Sequence, residues 1–223
     1  MAFVTDALLL RANDYRDADR IVTLFTRDAG KLSALARGAR GSKRRFAGSL
    51  EPYSVIRVEL EEGRGELLTL KRAELTRPFV QLLSDLDRMD AAAGALALVR
   101  EAHAPRAVDT ELFVAAVQYL TVIDHEGDPQ RSLLLAFALR VLARMGIAPR
   151  LSQCGRSNEP VPADKSAYFD PALGAVVSRR HGGGPFLLSA WTRARLIAAQ
   201  GEGWLDRAPW DGAELANARA AIA

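Results

Sequence analysis

The sequence of 223 residues has one cysteine, Cys154, and no long hydrophobic run. One thiol cannot form an internal disulfide and cannot alone build a cysteine-ligated metal site, so we expect a reducing cytoplasm. Asp6 and Arg11 fall where a secretory signal would be apolar. No uncharged stretch of about 18 apolar residues occurs, so no segment is expected to span a membrane.

The residue patterns of common enzyme sites are also missing. His103, His125 and His181 lack the spacing of a metal site, and each is expected at the surface or in a loop. Cys154 and His181 could form a nucleophile and its base, but neither lies in a known signature of that chemistry. The segment 38–43 lacks the glycine spacing of a phosphate-binding loop, and no acidic cluster predicts a Mg²⁺ site. We therefore expect no catalytic activity.

The small net charge of +3 is unevenly distributed. Residues 1–80 contain 15 basic and 11 acidic side chains, a net charge of +4, whereas residues 81–223 contain 15 and 16, a net charge of −1. The basic character therefore belongs to the N-terminal third of the chain.

Residues 31–45 contain no Asp or Glu, and Gly38 and Gly41 make part of this stretch flexible. The predicted DNA-binding residues here are Lys31, Arg37, Arg40, Lys43, Arg44 and Arg45. A flexible cationic loop can follow a phosphate backbone and release counterions, which makes binding depend steeply on salt. The alternative is a solvated loop that only maintains solubility, but the absence of compensating acids argues against it.

Two further basic residues, Lys71 and Arg72, point to opposite faces if they lie in a strand, so only one of them can extend the basic surface. Nearby aromatic residues that could stack on bases are Phe25, Phe46 and Tyr53, and we expect them in the barrel core instead. Binding should then depend on phosphates more than on bases, with weak sequence preference.

The first 80 residues predict strands near 3–11, 21–27, 31–36, 53–61 and 66–75. The fourth is the clearest, because Ile56, Val58 and Leu60 alternate with charged residues. Turns are predicted at 28–31 and at 63–65, where glycine permits a tight hairpin. Five short strands favour a small closed barrel, either an OB-fold or an SH3-like barrel.

Beyond Pro78 the hydrophobic period becomes helical. Ser84 with Asp87 resembles a capping box that opens a helix to about Ala102, and Asp109 can cap a second helix to about Ile123. A third helix is predicted to begin at the pair Asp128-Pro129 and to end at Gly146. These three helices predict a bundle.

The segment 147–186 is rich in proline and glycine and predicts an irregular insert. Helices are expected again over 190–200, capped by Ser189, and after Asp211. The predicted fold class is α+β, with an N-terminal five-stranded barrel domain at 1–79 and a C-terminal helical domain at 80–223.

Several further segments follow one another along the chain in a fixed order: Leu8–Arg11, Tyr15–Arg20, Thr23–Thr26, Gly30–Ala34, Ala36–Arg40, Leu50–Tyr53, Gly65–Leu70 and Leu142–Leu151. This ordered series resembles the bacterial RecO family of recombination mediators. The resemblance implies an N-terminal OB-fold that binds single- and double-stranded DNA, and a protein that anneals complementary strands. It also implies RecR and the single-stranded DNA-binding protein SSB as partners in loading RecA, and a nucleoid-associated cytoplasmic location.

Many relatives in that family carry two CxxC pairs that bind a structural zinc in the insert. Here the corresponding positions are Cys154 and Ser157, then Ser178 and His181. Serine is a poor zinc ligand, so this degenerate zinc-finger-like insert is expected to bind no zinc and to be held by packing and hydrogen bonds.

The alternative function is a protein-interaction scaffold in which the basic loop is incidental. A groove between the helices could accept an acidic, apolar peptide, with Arg131, Arg140 or Arg144 meeting its carboxylates.

Overall fold

The structure is a computed structural model that describes residues 1–42, 44–46, 48–63, 65, 67–128 and 131–222. By compactness the chain comprises two units, Met1–Pro129 and Gln130–Ala223. The predicted division at residue 79 therefore does not coincide with the compact units, and as a division into functional domains it stays a prediction. Within the described ranges, no helix has the length and apolarity needed to cross a membrane.

The first unit begins with a closed five-stranded barrel. Its strands are β1 (Ala2–Tyr15), β2 (Asp19–Thr26), β3 (Gly30–Ala36), β4 (Ser54–Glu61) and β5 (Leu68–Pro78). They are arranged in the order β1-β2-β3-β5-β4, and β3 runs parallel to β5 while the other pairs are antiparallel. This is the strand order of an OB-fold, which decides the choice that periodicity left open.

Alternating side chains fill the barrel. Ile56, Val58 and Leu60 of β4 are fully buried, as their alternation with charged residues predicted. Phe46 and Leu50, which come from the loop after β3, join the same core. The loop that carries the basic residues is therefore anchored by its own apolar end.

A bulge in β5 corrects the prediction for its two basic residues. Glu59 pairs with Arg72 and Leu60 pairs with Leu70, so Lys71 is an extra residue with no partner position on β4. An extra residue shifts the alternation of a strand. As a result Lys71 and Arg72 are both exposed, and the expectation that they occupy opposite faces was wrong.

Two helices complete the first unit, α1 (Leu86–Ala102) and α2 (Thr110–Glu126). Asp109 caps α2 as predicted, and its carboxylate accepts a hydrogen bond from the N–H of Leu112. The cap of α1 is Asp85 and not Ser84, because Ser84 ends a preceding turn of 3₁₀ helix. The Asp85 carboxylate accepts hydrogen bonds from the N–H groups of Asp87 and Arg88.

The hairpin between β2 and β3 packs against the segment that joins α1 to α2. Gly30, with a φ of +70°, lies so close that a Cβ there would overlap the carbonyl of Ala107. The N–H of Arg106 donates to the carbonyl of Lys31 over 2.9 Å, and the Thr110 hydroxyl donates to the carbonyl of Arg27 over 3.1 Å. These contacts hold the helices against the barrel.

The second unit combines helices with a small sheet. Its elements are α3 (Ser132–Arg144), β6 (Arg150–Cys154), β7 (Ala167–Asp170), β8 (Ala175–Val177), β9 (Phe186–Leu188), α4 (Ala190–Ala199) and α5 (Gly212–Ile222). Ser189 caps α4, as predicted, and α5 follows Asp211, as predicted, with the Asp211 carboxylate accepting hydrogen bonds from the N–H groups of Ala213 and Glu214. The third helix starts at Ser132, later than the pair Asp128-Pro129, and Pro129 lies outside the described residues.

The insert is more regular than predicted, because β6, β8, β7 and β9 form a four-stranded sheet in that order. These strands have only three to five residues, and all three residues of β8 are buried. Strands so short, without alternation of apolar and polar residues, give no period-2 signal. The proline and glycine residues that lie between these strands dominated the sequence pattern of the segment.

A buried arginine holds this sheet to α4. Arg193 is 1% exposed, and its guanidinium donates to four backbone carbonyls. They belong to Leu151, Val161, Pro162 and Lys165. Burial lowers the pKa of this guanidinium, which nevertheless stays charged because arginine is protonated in proteins.

We expect Gly30→Ala to destabilise the first unit more than Gly48→Ala does. Both glycines have positive φ, but nothing lies within 4 Å of a Cβ at Gly48. Gly48→Ala, the control, should lower the free energy of unfolding by about 1–2 kcal/mol because its backbone is left-handed. Gly30→Ala should lower it by about 1–3 kcal/mol more because its Cβ would overlap Ala107. Urea unfolding of the two variants measures this difference, and equal losses would contradict the close approach.

We expect Arg193→Met to lower the free energy of unfolding by about 2–4 kcal/mol, because the four carbonyls would lose the guanidinium that donates to them. Arg219→Met, at an exposed position of α5, is the matched control and should change it by less than about 0.5 kcal/mol. Thermal unfolding followed by circular dichroism tests this expectation, and a variant as stable as the control would disprove the role of Arg193.

Candidate nucleic-acid interface

The basic loop, residues 37–45, follows β3 and is fixed to its surroundings by backbone hydrogen bonds. The N–H of Gly38 donates to the carboxylate of Asp19 over 2.8 Å, and the N–H of Arg40 donates to the carbonyl of Ala18 over 3.1 Å. At its other end the carbonyl of Arg45 accepts from the N–H of Ala73 over 2.9 Å. The loop is thus held at both ends by the barrel.

The exposed arginines of the basic loop differ in how much they are engaged. Arg37 and Arg44 have exposed side chains with no ion-pair or hydrogen-bond partner within the described ranges. The Arg45 guanidinium donates to the carbonyl of Arg37 over 2.7 Å and lies over the Phe46 ring. Lys43, also predicted to bind DNA, is outside the described residues.

Acidic residues from the β1–β2 connection approach the loop, although its own sequence has none. The Arg40 guanidinium donates to the carbonyl of Asp17 over 3.2 Å and lies 3.9 Å from the carboxylate of Asp14. The same Asp14 accepts from Arg20 over 3.1 Å. The end of β1 and the β1–β2 connection therefore help to hold the basic loop.

The other predicted binding residues are engaged with neighbours. The Lys31 ammonium donates to the carbonyl of Arg100 near the end of α1, a favourable place for a cation. Lys71 pairs with Glu61, and Arg72 pairs with Glu74. Both pairs are largely exposed, and surface pairs of this kind contribute little energy, so a phosphate could compete for either cation.

The three candidate aromatic residues occupy different environments. Phe46 lies in the barrel core, as predicted. Phe25 is buried outside the barrel, with its ring centroid 4.9 Å from that of His103 and 5.9 Å from that of Phe113. Tyr53 is half-buried, and its hydroxyl donates to the carbonyl of Met89 over 3.3 Å. Burial and the nearby Asp90 raise the pKa of this hydroxyl, which favours its neutral donor form.

A cavity of about 290 Å³ beside Tyr53 carries basic residues that sequence patterns did not single out. Arg11, Arg20 and Arg100 line it, together with Glu51. They come from β1, β2 and α1, so their spacing along the chain gave no signal. Only the folded chain brings them together.

The histidines and the helical arginines lie in different environments. His103 lies in the loop that follows α1, as predicted, and is buried there against Phe25, whereas His125 is exposed. Of the arginines predicted for a peptide groove, Arg144 is exposed. The Arg140 guanidinium donates to the carbonyl of Gln200 and to the Glu202 carboxylate, and Arg131 is half-buried.

Three of the four positions predicted to form a degenerate zinc-finger-like insert come together. Ser178 Oγ lies 2.8 Å from His181 Nδ1, and Cys154 Sγ lies 3.7 Å from that nitrogen and 3.8 Å from Ser178 Oγ. Burial alone raises the pKa of the Cys154 thiol. Hydrogen bonds from Ser157 and from backbone groups outweigh burial and lower the pKa to about 5.

This donor set does not fit a structural zinc. Such sites use four cysteine or histidine ligands, and here two of the four positions are serine hydroxyls. No group of three or more His, Cys, Asp or Glu side chains suitable for a metal occurs among the residues that the structure describes. The polar contacts among Cys154, Ser178 and His181 are the kind of hydrogen bonding expected to hold the insert.

The fold and this surface define an α+β protein with an N-terminal OB-fold barrel that carries an arginine-rich loop. A family model described as Recombination protein O N terminal matches residues 1–79, and one described as Recombination protein O C terminal matches residues 83–222. The chain therefore belongs to the recombination protein O (RecO) family, as its sequence segments indicated.

Similar proteins carry the name DNA repair protein RecO. The one from Anaeromyxobacter sp. (strain K) is 41% identical over 171 residues, which are 76% of this chain and 66% of that protein. The one from Myxococcus xanthus (strain DK1622) is 41% identical over 173 residues, which are 77% of this chain and 69% of that protein. The matched region thus spans about two thirds of each relative's length.

We expect the wild-type protein to purify without zinc and the double variant Ser157→Cys, Ser178→Cys to bind one equivalent, because it would offer three thiolates and an imidazole. Metal analysis after dialysis measures this, with Ser152→Cys, Ser166→Cys as a control that adds two thiols elsewhere. One equivalent of tightly held zinc in the wild type would show that the insert is a metal site.

Proposed function

We propose that this protein is a non-catalytic recombination mediator that binds single- and double-stranded DNA and anneals complementary strands. The observation that carries the proposal is the basic loop, which presents Arg37 and Arg44 without partners among the described residues on an OB-fold barrel. Membership of a family whose named relatives are DNA repair proteins supports it.

The physical basis is charge neutralisation. Arginines contact phosphates without reading base identity, so one surface can hold strands of any sequence. Neutralising phosphates also reduces the repulsion between two complementary strands, which favours their pairing. Neither step needs a nucleophile, a metal or a cofactor, and the proposal includes none.

The proposal extends to partners and location. We propose that the protein acts with RecR and SSB to load the recombinase RecA, in the cytoplasm and in association with the nucleoid. These features follow from the family resemblance and lie outside the argument from the basic loop. Co-purification from cell extracts tests the proposed partners. Extracts in which neither RecR nor SSB co-purifies with the protein would contradict them.

We expect the double variant Arg37→Glu, Arg44→Glu to bind DNA more weakly and to anneal complementary strands more slowly. Loss of two phosphate contacts should reduce the slope of log affinity against log salt by about 1.4 for single strands. Fluorescence-monitored binding and annealing of complementary oligonucleotides across a salt series measure both effects.

The matched control is Arg179→Glu, Arg219→Glu, which makes the same change in net charge at two exposed positions of the second unit. It should leave affinity, salt slope and annealing close to the wild type. Equal losses in both variants would mean that only net charge matters. Unchanged DNA binding by the loop variant, or binding of an acidic peptide without DNA binding, would favour the scaffold function instead.

A further inference from the structure

The cavity of about 290 Å³ in the first unit has an apolar floor. It lies between the barrel and α1, where Leu9, Leu10, Leu50 and Leu96 line it. Ala93, one turn before Leu96 on α1, is exposed at its edge. A volume near the lower end of the about 300–1,000 Å³ typical of ligand sites fits a small group better than a whole cofactor.

The rim of the cavity is cationic. Arg11, Arg20 and Arg100 line it, with Glu51 as the acidic residue among the lining side chains. The Arg20 guanidinium lies 3.4 Å from the Glu51 carboxylate and the Arg100 guanidinium 2.9 Å from the Glu101 carboxylate, so Arg11 is the rim arginine without an acidic partner within the described ranges. Both pairs are partly exposed, and such surface pairs contribute little energy, so a phosphate could compete for Arg20 and Arg100. An apolar floor under a cationic rim suits an occupant with a flat, weakly polar body and anionic groups attached on either side.

The rim is continuous with the basic loop. Asp14 lies 3.1 Å from Arg20 on the rim and 3.9 Å from Arg40 in the loop, so one carboxylate joins the two sets of cations. Arg20 also pairs across the sheet with Ala36, the residue before the loop. A polyanion that follows the basic loop would therefore reach the cavity along a line of arginines.

We propose that this cavity accepts one unstacked nucleobase of a single strand whose phosphates lie along the basic loop and the rim. The proposal rests on the proposed function and adds a site that holds one base of the bound single strand. Bases of single strands stack on aromatic rings and on arginine planes, and Tyr53 and Arg20 both line the cavity. A paired base in a duplex cannot enter it, so the cavity favours single strands.

The test compares an intact oligonucleotide with one of equal length and charge in which abasic spacers replace the bases. We expect the wild type to bind the intact strand about tenfold more tightly, within the range known for stacking of one base. Ala93→Trp should fill the cavity and bind both strands with the affinity that the wild type has for the abasic one. Ala216→Trp, at an exposed alanine of α5, should keep the preference.

A second variant, Ala93→Leu, fills less of the cavity and should reduce in part the preference for the intact strand. It keeps the test valid if thermal melting shows that Ala93→Trp is unfolded. Equal wild-type affinity for both strands would overturn the base site and leave the proposed function intact. Binding of neither strand would overturn both. If the cavity variants abolish binding of an acidic, apolar peptide but keep the base preference, the cavity belongs to a protein partner and the base site is wrong.

Discussion

The close approach of Gly30 to the backbone of Ala107 is the contact on which the first unit depends. It lets the β2–β3 hairpin lie directly against the segment between α1 and α2, where Arg106 and Lys31 share a backbone hydrogen bond. Because α1 is held there, Leu96 and Arg100 face β1 and close one wall of the cavity. A side chain at residue 30 would push these elements apart.

The acidic residues of the barrel hold the basic loop in position and leave some of its arginines available to bind a ligand. Asp14 and Asp19 do not cancel the basic loop; they hold it, one by pairing with Arg40 and the other by accepting from the backbone of Gly38. Gly38 and Arg40 are therefore held in place while Arg37 and Arg44 stay exposed. A preformed cationic surface loses less conformational entropy when a strand binds than a disordered one would.

Polar contacts hold the small sheet of the second unit together. Cys154, Ser178 and His181 lie within hydrogen-bonding reach of one another. Arg193 adds a second internal connection by binding the carbonyls of the loop between β6 and β7. Hydrogen bonds thus link segments of the second unit that are far apart in the sequence.

The sequence alone determined the parts of the fold that arise from local patterns. Alternation placed β4, glycine marked the β2–β3 turn, and Asp109, Ser189 and Asp211 marked helix starts, because each depends on residues close together in the chain. It also located the basic loop. Only the tertiary structure decided that Asp14 joins Arg20 to Arg40. It also decided that the bulge in β5 exposes both Lys71 and Arg72, and that Arg11, Arg20 and Arg100 surround one cavity. These features bring together residues far apart in sequence, and no local period or spacing encodes such contacts.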